Sequence, residues 1–122
     1  MIALRRIFIS LTLLATIAAA DASGTFVSAP GKSVNGNVAI AKTQTGQVLK
    51  LYNFRSSNGP DLKVYLATDK AASDFVSLGE LKSFSGDQEY SVPDHVDLNN
   101  YSKVLIWCEQ FSVLFGTADL SL

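Results

Sequence analysis

The chain is poor in the residues that most often carry chemistry. Its 122 residues include one cysteine, one histidine, one tryptophan and one methionine. The lone cysteine, Cys108, cannot pair within its own chain, so no internal disulfide holds the fold. The lone histidine, His95, and a methionine that is only Met1 exclude a blue-copper site, which needs two His, a Cys and a weak axial ligand. A structural zinc site lacks ligands for the same reason. There is no C-x-x-C-H run for covalent haem attachment and no G-x-S-x-G elbow for a hydrolase nucleophile. Basic runs are missing too, which argues against nucleic acid or an anionic membrane surface as partner.

What is present begins at the N-terminus. Arg5 and Arg6 precede an apolar run from Ile7 to Ala20, broken only by Ser10, Thr12 and Thr16 and ending in Ala18-Ala19-Ala20. This is the pattern of a secretory signal peptide over residues 1–20, with cleavage expected before Asp21 or before Ser23. The run is roughly 14 residues, shorter than the ~20 that span a bilayer, so it reads as cleaved rather than as an anchor. The expectation is a secreted or periplasmic protein with no membrane span in the mature chain. Without Arg5 and Arg6, ten Lys and Arg become eight against eleven Asp and Glu, a mild acidic excess. Residues 21–122 have the length of one domain, enough to bury a core without disulfide or metal.

That domain reads as β throughout. Strands are expected over Gly24–Ser28, Val38–Thr43, Gln47–Phe54, Leu62–Ala67, Val76–Phe84 and Asp87–Val92. Turns are marked by Ala29-Pro30-Gly31, Asn35-Gly36-Asn37, Thr45-Gly46, Asn58-Gly59-Pro60-Asp61 and Ser85-Gly86. Gly79, inside a strand, predicts a bulge. Lys103 to Gly116 is the most apolar stretch after the N-terminal run, with a break near Gln110, and Thr117 to Leu122 reads as a closing strand. No long segment has a helical period. Many short strands between frequent turns predict an all-β, single-domain antiparallel sandwich, with barrel-like closure as the variant.

Cys108 is the centre of the functional question, because exported proteins usually pair their cysteines. It is a buried inert thiol, a reactive thiol, a ligand to a prosthetic group, or half of an intermolecular bond. By period two it shares a face with Val104 and Ile106, while Leu105, Trp107 and Glu109 share the other. That face looks like core, where a free Cys behaves as a small hydrophobe. No Lys or Arg lies within four residues of it, so an activating charge must come from another strand. A thiolate ligating haem would need only one protein ligand. A Cys108–His95 hydrolytic pair is the weakest reading, since His95 lies in a turn-rich loop. Trp107, Phe111, Phe115, Tyr65, Tyr90 and Tyr101 have the placing of core or cross-strand aromatics, or of a ligand face.

Five ordered blocks carry a family resemblance. They are Gly24-Thr25-Phe26, Gly59 to Leu66, Leu78 to Lys82, Gly86 to Pro93, and Val104 to Phe111 followed by Phe115 to Leu120. Together, over about residues 22 to 120, the chain resembles the DM-thirteen domain. The resemblance implies an extracellular β-sandwich module, in animals often beside DOMON domains, with a proposed electron-transfer role. The family's characteristic Cys falls on Cys108, implied to act as a bare thiol or as a ligand to a group such as haem.

With the export pattern, the resemblance implies an exported redox or electron-transfer module. Cys108 is its working residue, with Trp107, Phe111 and Phe115 walling a cavity beside it and haem as the candidate cofactor. Its partner would be an extracytoplasmic redox protein or surface protein. The rival is a non-catalytic binding or adhesion module with Cys108 in the core and specificity in the loops Ser56–Asp61 and Asp94–Ser102.

Overall fold

The computed structural model describes residues 20–122. The expected signal peptide lies outside them except for Ala20. The described residues form eight strands: β1 (Ala22–Ser28), β2 (Val34–Thr43), β3 (Gly46–Ser56), β4 (Leu62–Ala67), β5 (Phe75–Glu80), β6 (Gln88–Val92), β7 (Lys103–Cys108) and β8 (Val113–Asp119). All pairings are antiparallel, in the order β5-β4-β7-β8-β1-β2-β3-β6.

The fold is all-β, one sheet rolled into a nearly closed barrel. Strand β1 makes the bend: Ala22 to Thr25 pair with β2, and Phe26 to Ser28 pair with β8. The remaining gap lies between β5 and β6, and the segment joining them spans it. Leu81 N–H donates to the Leu62 carbonyl of β4, while Gly86 N–H reaches the Phe54 carbonyl of β3 and Ser56 N–H reaches that of Phe84. Lys82 N–H donates to the Tyr90 hydroxyl, which donates in turn to Gln88 Oε1. Closure of this kind leaves little free strand edge to pair with other chains.

The barrel interior follows from the period of two. Val38 and Ile40, Leu49 and Leu51, Val64 and Leu66, and Val104, Ile106 and Cys108 all point inward and join one core. Burying each of the larger aliphatic side chains stabilises the fold by roughly 1.5–3 kcal/mol relative to leaving it exposed. The inward placing of Cys108 with Val104 and Ile106 is the one the alternation predicts.

Two expectations are corrected. Asn35-Gly36-Asn37 is not a turn but part of β2, where the register with β3 shifts between Asn35 and Asn37. Gly36 holds φ 120°, and a Cβ there would stand 2.7 Å from the Tyr52 carbonyl oxygen. The Asn-Gly signal thus reports a positive φ, which a bulge needs as much as a turn does. The C-terminal residues do not form a separate strand either. β8 runs on through Thr117 to Asp119, and only Ser121 bridges back to Ser23. Elsewhere Gly79 does lie at a register shift, between β5 and β4, and the long apolar stretch breaks at Glu109 to Ser112.

Candidate functional site

Cys108 ends β7, facing Leu62 of β4 on one side and Val113 of β8 on the other. It is a free thiol and only 1 % exposed. It nevertheless lines a pocket of about 280 Å³ at that end of the barrel, together with Lys32, Gly59, Pro60, Phe111 and Phe115. Three connections build the rim. The β1–β2 turn brings Lys32, the β3–β4 loop brings Asn58 to Pro60, and the β7–β8 hairpin brings Phe111.

Each wall has a local cause. Phe115 is the extra residue at a bulge in β8: Ile106 pairs with Gly116 and Trp107 with Leu114, leaving Phe115 unpaired between them. A bulge re-aims the side chains beside it, and Phe115 is buried in the barrel core. Gly59 permits this packing, since a Cβ there would meet Phe115 Cζ at 2.9 Å. Lys32 Nζ stands 4.8 Å from the centroid of the Phe115 ring. Its loop is fixed by the Lys32 N–H bond to the Ala29 carbonyl. Phe111, at the hairpin tip, is 61 % exposed.

The structure therefore brings Cys108, Phe111 and Phe115 together and leaves Trp107 out. Trp107 lines a groove on the outer side of the barrel with Tyr65 and Phe75. Adjacent strand residues point to opposite faces, so Cys108 and Trp107 cannot share a wall. Sequence reading missed Val113, the hairpin partner of Cys108, and Lys32. Lys32 lies far from Cys108 in the chain and reaches the pocket only through loop packing.

His95 is exposed and sits between Asp94 and Val96, which flank the β2–β3 hairpin at Thr43 and Gly46. That is the other end of the barrel from Lys32 and Cys108. No Cys–His pair forms. Of the two loops of the binding-module reading, Ser56–Asp61 contributes to the Cys108 pocket, and Asp94–Ser102 lies away from it.

A haem does not fit these residues. Pockets for drug-sized ligands span roughly 300–1,000 Å³, and the space beside Cys108, about 280 Å³, is smaller than that. The thiol is also sunk in the barrel wall between two paired strands, where a macrocycle cannot approach without separating them. The pocket is sized for a small molecule or a single side chain.

The fold and the site together define a class: a small, nearly closed antiparallel β-barrel whose one cysteine, buried, is among the residues lining an aromatic-walled pocket. A family model described as "Electron transfer DM13" matches residues 25–120, and the chain belongs to that family. No match was found among curated proteins or among solved structures.

Proposed function

We propose that this chain is an electron-transfer module in which Cys108 works as a bare thiol, exported by its N-terminal segment to a secreted or periplasmic location. One observation carries the reading: the only Cys of the chain is part of the wall of a pocket, with a cation at its rim and an exposed Phe at its mouth. A thiol with no means of approach would be inert.

The chemistry open to such a site is two-electron sulfur chemistry. The sulfur attacks one oxygen of a small peroxide, the O–O bond breaks, and the released hydroxide takes up the thiol proton as water. Cys108 is left as a sulfenic acid. A cysteine thiol of the partner protein condenses with it, releasing water and forming a mixed disulfide. A second thiol displaces Cys108 from that disulfide and returns it to its starting state. Two electrons have passed from a pair of thiols to the peroxide. Phe111 offers the partner protein an apolar foothold beside the pocket, and Lys32 favours an anionic reagent. The partner is an extracytoplasmic redox protein.

A second reading rests on the 1 % exposure of Cys108: the thiol is core packing, and the module binds a surface partner without redox chemistry. Mass spectrometry of native protein after brief treatment with hydrogen peroxide and a sulfenic-acid trap separates the two. Trapped adduct at Cys108, absent in Cys108→Ala, supports the redox module. Adduct that forms only after denaturation overturns it.

A further inference from the structure

The outer face of the barrel carries a second site. Tyr65 of β4 stacks on Phe75 of β5 with ring centroids 4.1 Å apart, and on Trp107 of β7 at 6.2 Å. A groove of about 550 Å³ runs over this stack, bounded by Ala72 on one side and by Glu109 and Ser112 on the other. Both Ala72 and Ser112 hold a positive φ, 55° and 52°, which non-glycine residues rarely adopt. The Ala72 side is braced by Asp69, whose carboxylate accepts hydrogen bonds from Ala71 and Ser73 N–H.

The electrostatics of this face are lopsided. Lys63 stands 3.0 Å from Asp61, 3.8 Å from Glu80 and 3.7 Å from Glu109, one cation shared among three carboxylates. No cation lines the groove, and Glu109 does. Tyr65 lines the groove and is 2 % exposed. Burial, with Glu109 adding to it, pushes the Tyr65 phenol above its ordinary pKa, so it stays a hydrogen-bond donor. Aromatic rings beside carboxylates that outnumber their one shared cation attract a further cation whose own hydration is weak.

We propose that this groove binds an organic cation, with its ammonium or guanidinium head against Trp107 and its charge met by Glu109. Two sources share that chemistry, a free small cation and the side chain of a basic peptide. The site lies on the opposite face of β7 from Cys108, so it stands or falls independently of the thiol reading.

Trp107 is the only tryptophan in the chain, so its fluorescence reports on this groove alone. The test titrates mature protein, at constant ionic strength, with choline, with a capped arginine peptide, and with the neutral choline isostere that carries tert-butyl in place of trimethylammonium. The expected result is a saturable change in Trp107 emission with at least one cation, about tenfold weaker with the neutral isostere. Glu109→Gln is expected to weaken the cation about fivefold, and Glu89→Gln, an exposed acid on β6, to leave it unchanged. Tighter binding of choline marks a free small cation, and tighter binding of the peptide marks a protein side chain. Equal responses to choline and its isostere, no effect of Glu109→Gln, or no saturable change with either cation would each overturn the proposal.

Discussion

Gly59→Ala tests the packing that shapes the Cys108 pocket. The new Cβ would stand 2.9 Å from Leu62 Cδ2, 2.9 Å from Phe115 Cζ and 3.1 Å from Phe115 Cε2. Unstrained carbon contacts lie at roughly 3.5–4.0 Å, so each neighbour must retreat by more than a few tenths of an ångström. The Leu62 methyl is the far end of a flexible side chain and gives way cheaply. The Phe115 ring is rigid and buried, and the open space beside it is the pocket itself. Overpacking of this kind costs about 1–3 kcal/mol. With the pocket available as relief, the lower end applies: about 1 kcal/mol, or a Tm lower by roughly 4–8 °C. The displaced ring narrows the pocket, so native labelling of Cys108 should slow. Phe115→Leu in the same chain removes the clash. The pair should therefore lose less stability than the two single changes together, with a coupling of about 0.5–1 kcal/mol measured by thermal or urea unfolding. Strict additivity with an unchanged labelling rate would refute the reasoning.

Other outcomes follow from the same geometry. Phe111→Ala should change stability by less than about 0.5 kcal/mol, because the side chain is mostly in water, while speeding native labelling of Cys108. Thr117 Oγ1 is buried without a hydrogen-bond partner among the described residues. Thr117→Val, nearly isosteric, should therefore be neutral or raise stability by up to about 1 kcal/mol in urea unfolding. Three phenols are held above the ordinary value of 10.0: Tyr65 and Tyr90 chiefly by burial, and Tyr101 chiefly by the Asp74 carboxylate beside it. Raised folded values favour the neutral phenol. The unfolded chain therefore ionises first, and the stability these groups supply below pH 10 is lost as pH rises toward the folded values. Phenolate absorbance should appear later in native than in unfolded protein, and stability should fall above pH 10. Coincident titrations would contradict this.

The sheet was legible because period two was clean. Val104, Ile106 and Cys108 alternate with Leu105 and Trp107, and that alternation alone sends the thiol inward. The break at Gln110 and the irregularity at Gly79 were equally readable. Features that depend on register were not. Asn35-Gly36-Asn37 has the composition of a turn, and only pairing with β3 turns it into a bulge. The inward Phe115 comes from an extra residue in β8 that no local pattern marks. Chain neighbourhood groups Trp107 with the Cys108 cavity, although the same alternation already places them on opposite faces. Lys32 and the groove over Tyr65, Phe75 and Trp107 are assembled from separate strands and loops, so their parts look ordinary in one dimension. The thiol's position could be read from sequence; the means of reaching it could not.

Reaction of native protein with thiol reagents of two sizes tests the central claim most directly. Iodoacetamide fits a pocket of this size, and a thiol reagent carried on a bulky polymer does not. Modification of Cys108 by the small reagent at denaturant concentrations where the barrel stays folded, with the bulky one excluded, is the result the pocket predicts. Modification by either reagent only in step with global unfolding would show that Cys108 is sealed in the core, and would contradict the account.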